Sequence, residues 1–148
     1  NLEPFSESLL FYASRIINYH SLILEALNNN QTVICDRFHY STLVYQGLYN
    51  SDQNVVNLHK VLDPYFSKRI SIIFHLDADI DTCLSRVNKR QTSDKFESKG
   101  KDFLIKIQNG YESIFKDNKK VIKIQTNQDT SIVNSLIAKH LDELINAK

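Results

Sequence analysis

Thr32-Val33-Ile34-Cys35-Asp36-Arg37 is the stretch on which the fold turns. Four apolar or β-branched residues in a row, with no alternation, are the pattern of a strand buried on both faces of a parallel sheet. Asp36-Arg37 then marks its carboxyl end. Upstream, Leu9, Ala13, Ile16, His20, Ile23 and Leu27, with Leu10, Ile17 and Leu24 alongside, follow a 3.6-residue period and predict a long helix. Ser6 and Ser8 are its candidate caps, and Asn28-Asn29-Asn30, residues that tolerate left-handed backbone, close it. Downstream, a helix over about 41–49 and a polar turn at 50–52 precede a helix over about 55–62, stopped by Pro64.

The apolar run at 70–76 predicts a second buried strand ending at Asp77, and 79–90 reads as a helix with Cys83, Leu84 and Val87 inward. From 89 to 101 there is no apolar period and many charges, the signature of a mobile loop. Phe103, Ile107, Tyr111 and Ile114 restore a helix over 102–116 with Tyr111 in the core, 121–124 is a third strand, and 132–145 is a closing helix. Helices alternating with short apolar strands, without hairpin signals or repeats, predict one α/β domain: a parallel sheet flanked by helices. Ligands of such sheets sit beyond the carboxyl ends of the strands, where Asp36 and Arg37 lie.

Composition narrows the function. With 18 Lys+Arg against 17 Asp+Glu, the net charge of +1 gives no broad basic face for nucleic acid. No run approaches the roughly 20 apolar residues of a membrane helix, and the start carries no signal-peptide pattern. The expectation is a soluble, cytoplasmic protein with neither nucleic-acid nor membrane partners. Cys35 and Cys83 are too few for a disulfide framework and are expected to be buried thiols. The five histidines show no cysteine or carboxylate at ligand spacing and are not expected to bind metal. Lys116, Lys119, Lys120 and Lys123 read as a solvated charge run. Only three glycines occur, and none builds a Walker A loop. Together with the absence of any Met, this predicts that the sequence is the C-terminal portion of a longer chain.

Several residues could carry chemistry. An acid and a guanidinium at a sheet mouth could position a metal-bound water and clamp a phosphate bidentately. Arg15 projects from an otherwise apolar helix face one turn beyond Phe11, pairing an aromatic plate with a cation. Thr42 and Gln46 share a helical face with Tyr45 beside them, and a hydroxyl and an amide so placed could read a base edge.

The strings Leu9-Leu10-Phe11-Tyr12-Ala13-Ser14-Arg15, Val33-Ile34-Cys35-Asp36-Arg37-Phe38 and Ser41-Thr42-Leu43-Val44-Tyr45-Gln46-Gly47 resemble, in order and spacing, those of bacterial thymidylate kinases. Ile73-Phe74-His75-Leu76-Asp77, Arg90 with Asp94-Lys95-Phe96-Glu97, Asp102-Phe103 and Gly110-Tyr111 extend the resemblance over nearly the whole chain. It implies a P-loop nucleoside monophosphate kinase fold, three-layered α/β/α, whose central first strand and Walker A segment would precede Asn1. It implies transfer of the ATP γ-phosphoryl group to dTMP, with Mg²⁺, in a homodimer. Phe11 would then stack on thymine, Arg15 and Arg37 would hold the acceptor phosphate, and Thr42 and Gln46 would address the base. Tyr45 would crowd a ribose 2′-hydroxyl. Asp36 would support Mg²⁺ through water, and a lid at about 89–101 would bring Arg86, Lys89, Arg90 and Lys95 to the transferring phosphoryl group. Two departures stand out: Lys95 replaces the usual lid Arg, losing its fork, and Phe38 replaces a common Tyr or His. A deoxynucleoside kinase and a non-catalytic nucleotide-binding module are the competing readings. Two arginines at one small site favour a phosphate-bearing acceptor.

Overall fold

The structure is a computed structural model and describes residues 2–89 and 100–146. The chain divides into two compact units, residues 1–70 and 71–148.

The first unit begins with α1 (Pro4–Asn18), which passes through a π-helical turn at Tyr19–Ile23 into α2 (Leu24–Asn28). Pro4 stands in the first turn, where its missing N–H costs nothing. The serines do not cap: Glu3 is the N-cap residue without a side-chain cap bond, Ser6 Oγ donates to Glu3, and Ser8 Oγ donates to the Phe5 carbonyl. Asn30 takes φ 57° as the helix ends. Tyr12 and Tyr19, two turns apart on one face, are buried with Phe66, and Ile16, Ile23, Leu24, Phe38, Leu58 and Leu62 pack around them.

After an extended stretch come α3 (His39–Thr42), a second π-helical segment at Leu43–Leu48, and α4 (Gln53–Ser67). The Asp52 carboxylate caps α4 by accepting from the backbone N–H groups of Asn54 and Val55. Pro64 does not stop α4, contrary to expectation. Continuing the helix one more turn delivers Phe66 to a fully buried position, edge-on to Tyr19 at 5.6 Å and to Phe38 at 5.0 Å between ring centroids. Burying an aromatic ring is worth enough to offset a lost helical hydrogen bond.

In the second unit β1 (Ile73–Asp77) and β2 (Val121–Gln125) run parallel, with Ile73 opposite Val121 and Asp77 opposite Gln125. Around them lie α5 (Ile80–Lys89), α6 (Lys101–Phe115) and α7 (Thr130–Asn146). Adjacent strand residues face opposite ways: Phe74 meets His140 of α7, whereas His75 meets Tyr111 and Phe115 of α6. The two helices therefore cover opposite sheet faces, giving an α/β/α arrangement. Phe103 and Ile107 are buried, and Tyr111 is half-buried.

Three further expectations are corrected. Residues 32–35 form no strand: among the described residues nothing hydrogen-bonds alongside them, so the β-branched run has no ladder, and Ile34 is 88% exposed. Neither cysteine is buried, since Cys35 lies on that same open stretch and is exposed, and Cys83 is intermediate. Lys123 is not a merely solvated charge, because it bridges Asp77 at 3.0 Å and Glu112. No described helix is long and apolar enough to cross a membrane.

Candidate functional site

In the first unit, α1 packs on α3 and on the π-helical segment that follows it, bringing the sequence-selected residues of three separate strings together. Phe11 and Arg15, one turn apart on α1, form a cation–π pair with the guanidinium carbon 5.3 Å from the ring centroid. Phe11 is 39% exposed, so its ring faces solvent rather than the core. The Arg15 charge reaches the 35–39 stretch: it opposes the rise that shielding gives the Cys35 thiol and adds to the lowering of His39.

Arg37 follows the exposed Asp36 and adopts φ 58°, a left-handed conformation that a non-glycine residue takes at a cost. This turn directs the guanidinium onto Tyr45. Its carbon lies 5.4 Å from the ring centroid, and Nη1 donates to the Tyr45 hydroxyl at 3.0 Å. Each arginine is thus paired with an aromatic ring of the same unit.

Thr42 and Gln46 are both buried. Gln46 donates from Nε2 to Glu7 at 3.0 Å, a partner the sequence did not suggest. The Thr42 hydroxyl, 1% exposed as a residue, has no hydrogen-bond partner among the described residues, a costly state for a buried polar atom. The Leu43–Leu48 segment carries i→i+5 hydrogen bonds, Tyr49 N–H to Val44 and Asp52 N–H to Gly47, both at 2.9 Å. Wider helical turns of this kind are frequent at functional sites.

The residues predicted to line the lid belong to the second unit. Arg86 donates from both terminal nitrogens to Thr126 at the end of β2, to its hydroxyl at 3.1 Å and to its carbonyl. Lys89 is exposed at the last residue of α5. Arg90 and Lys95 lie outside the described residues. The ends of β1 and β2 are tied together beside Arg86. Asp79 accepts from Thr82 and from Asn127, and Asn127 in turn accepts from the Asp79 backbone at 3.1 Å. Burial pushes the Asp77 carboxyl up, but hydrogen bonds from Gln108, Lys123 and Gln125 outweigh it and hold it below the usual range.

Sequence reasoning missed one cluster. His39, His59 and Asp63 of the first unit place one ligand atom each within 4.8 Å of the others. His59 and Asp63 stand one helical turn apart on α4, a spacing visible in the sequence, so the expectation that no histidine has a carboxylate at ligand spacing is corrected.

A family model described as thymidylate kinase matches residues 1–137. The chain is 39% identical over 145 residues to a thymidylate kinase of Rickettsia africae (strain ESF-5), covering 95% of this chain and 70% of that one. It is 34% identical over 135 residues to a thymidylate kinase of Mycoplasmoides gallisepticum (strain R(low / passage 15 / clone 2)), covering 90% and 63%. To a thymidylate kinase of Rickettsia bellii (strain RML369-C) it is 36% identical over 146 residues, covering 96% and 70%.

Proposed function

The chain belongs to the thymidylate kinase family, and from that premise we propose that the protein transfers the γ-phosphoryl group of ATP to dTMP, giving dTDP. The observation that supports the acceptor site is the pairing of two guanidiniums with two aromatic rings in one unit, Arg15 over Phe11 and Arg37 over Tyr45. A nucleoside monophosphate offers both a flat base and a dianionic group, the two chemistries this arrangement addresses.

In this reading Phe11 stacks on thymine, and Arg15 and Arg37 hold the acceptor phosphate. Fixing the phosphate from two sides orients its oxygen for attack, and orientation with charge stabilisation supplies nearly all catalysis in phosphoryl transfer. Thr42 offers the base its unpaired hydroxyl. Gln46, held by Glu7, presents its amide at a fixed angle. Tyr45, anchored by Arg37, fills the place a 2′-hydroxyl would need and so excludes ribose.

Asp36 fits a role toward Mg²⁺: it is an exposed hard-oxygen donor, and Mg²⁺ is commonly held by one or two carboxylates, waters and substrate phosphates. Mg²⁺ would neutralise charge on the nucleotide phosphates. Lys89, Arg90 and Lys95 would bring cations from a lid at about 89–101. Arg86 would have to release Thr126 before meeting a phosphate. We also assign a cytoplasmic homodimer to which the exposed apolar side of α1 contributes, and a single domain in which both units take part.

The test is formation of dTDP from dTMP and ATP with Mg²⁺ in a coupled assay, beside thymidine as acceptor. Turnover of dTMP and not of thymidine is expected. Phosphorylation of thymidine instead would place the protein among the nucleoside kinases.

A further inference from the structure

The phosphoryl-transfer reading draws nothing from the cluster at His39, His59 and Asp63. His39 Nε2 is 2.8 Å from Asp63 Oδ1, and His59 Nε2 is 3.9 Å from the same oxygen. The two imidazoles are stacked, 5.5 Å between centroids and 13° apart in plane. His39 is fully buried and His59 nearly so, while the Asp63 side chain is 31% exposed and forms the solvent-facing corner. We infer that His39, His59 and Asp63 form a binding site for one divalent transition-metal ion of the zinc class, with water completing its coordination.

Donor chemistry selects the ion. Two imidazole nitrogens and one carboxylate oxygen suit zinc, whereas Mg²⁺ and Ca²⁺ take oxygen donors. Size agrees as well. Zinc bonds of about 2.0–2.1 Å in a tetrahedron set ligand atoms roughly 3.3 Å apart. The two edges to Asp63 Oδ1, 2.8 and 3.9 Å, fall on either side of that separation, and all three donor atoms lie within 4.8 Å of one another.

Protonation favours the ion too. Burial lowers the pKa of His39 against its bond to Asp63, and burial with the neighbouring His39 takes His59 down to about 4. Both rings are therefore neutral near pH 7 and can donate lone pairs. The ion would take the place of the proton now shared between His39 Nε2 and Asp63 Oδ1.

Tyr12 supplies the outer shell. Its hydroxyl lies 2.9 Å from His59 Nδ1, so with Nε2 on the metal the Nδ1–H donates to the tyrosine oxygen, fixing tautomer and ring plane. His39 Nδ1 is buried with no partner among the described residues, so of the two rings it is His59 that has an outer-shell contact there. An ion here would fasten α3 to α4, two residues from Arg37.

The protein is stripped with a chelator, desalted and titrated with Zn²⁺ alone, and with Co²⁺ as a spectroscopic probe. One zinc per chain, a visible Co²⁺ band and a raised thermal midpoint are expected. Asp63→Asn and His59→Gln should each weaken zinc by more than the roughly 10- to 100-fold typical of losing an outer-shell partner, and Tyr12→Phe by about tenfold. His20→Gln and His140→Gln should change nothing. Should His59→Gln fail to fold, Asp63→Asn, at the exposed corner, carries the test. Absence of stoichiometric zinc in the parent, or unchanged zinc affinity in Asp63→Asn, would overturn the site.

Discussion

Arg37 adopts a left-handed backbone at φ 58° and, from there, donates to the Tyr45 hydroxyl at 3.0 Å while its guanidinium lies 5.4 Å from the centre of the same ring. Strain in the backbone and two contacts in the side chain act on one residue. The contacts hold the guanidinium in place before any anion arrives, which lowers the ordering cost of binding one. Tyr45→Phe keeps the ring and removes the acceptor. A neutral acceptor at an exposed site is worth about 0.5–1.5 kcal/mol at most. A rise of a few-fold in KM for dTMP with kcat nearly unchanged is expected, read by steady-state kinetics.

Removing the ring acts differently. Tyr45→Ala should narrow the preference for dTMP over ribothymidine monophosphate, because exclusion by bulk disappears with the bulk. The ratio of the two kcat/KM values measures it, and an unchanged ratio would leave Tyr45 as packing alone.

Arg15→Ala and Arg37→Ala should each weaken use of dTMP by about one to two decades. Each deletes a charge-assisted hydrogen bond to an ionised phosphate, worth roughly 1.5–3 kcal/mol. Neither side chain belongs to the Tyr12, Tyr19 and Phe66 core, so the melting temperature should stay near that of the parent. Kinetics beside circular-dichroism melting separates the two effects. Unaltered kinetics in both variants would end the phosphate-clamp assignment.

The helical periods and the pairing of Phe11 with Arg15 were legible because they are local: residues three and four apart on a helix share a face whatever the rest of the chain does. The stretch at 32–35 departs from its strand-like sequence for the converse reason. Its β-branched composition is strand-like, but a strand is a relation to a neighbour, and no described residue supplies one. Pro64 reads as a stop on backbone propensity alone, which carries no information about the burial of Phe66 two residues later. Two of the three members of the His39, His59 and Asp63 cluster lie in plain sight at i and i+4, and the third is brought in from 20 residues upstream by α3 packing on α4.

Phe66→Ala tests that account of Pro64. Phe66 is fully buried among Tyr19, Phe38, His39 and Tyr65, and truncating such a ring typically costs 3–5 kcal/mol through lost transfer energy and the cavity left behind. A lowered urea midpoint is expected, together with local fraying of α4 beyond Pro64 in amide exchange. A midpoint within experimental error of the parent would mean that the turn after Pro64 is held by something other than this ring.

Acid should destabilise the protein through the same part of the first unit. Burial lowers His59 to about 4, helped by His39 and opposed by Asp63, and burial also lowers His39. Each imidazole is harder to protonate folded than unfolded, where its pKa is about 6.5. Well above pH 6.5, from about pH 7.5, both states are neutral and the difference contributes nothing to the pH slope. As pH falls from about 6.5 toward 4, the unfolded chain takes up protons that the folded one refuses, so stability is lost across that window. For His59 alone the full loss is on the order of 3 kcal/mol. Arg15 on α1 adds to the lowering of His39, and Asp63 on α4 works against it for both rings. Denaturation midpoints measured between pH 4 and 8 in metal-free buffer should therefore fall below pH 6.5. In His59→Gln the slope in that range should flatten by close to one proton. An equal slope in parent and variant would show that His59 titrates normally in the folded protein.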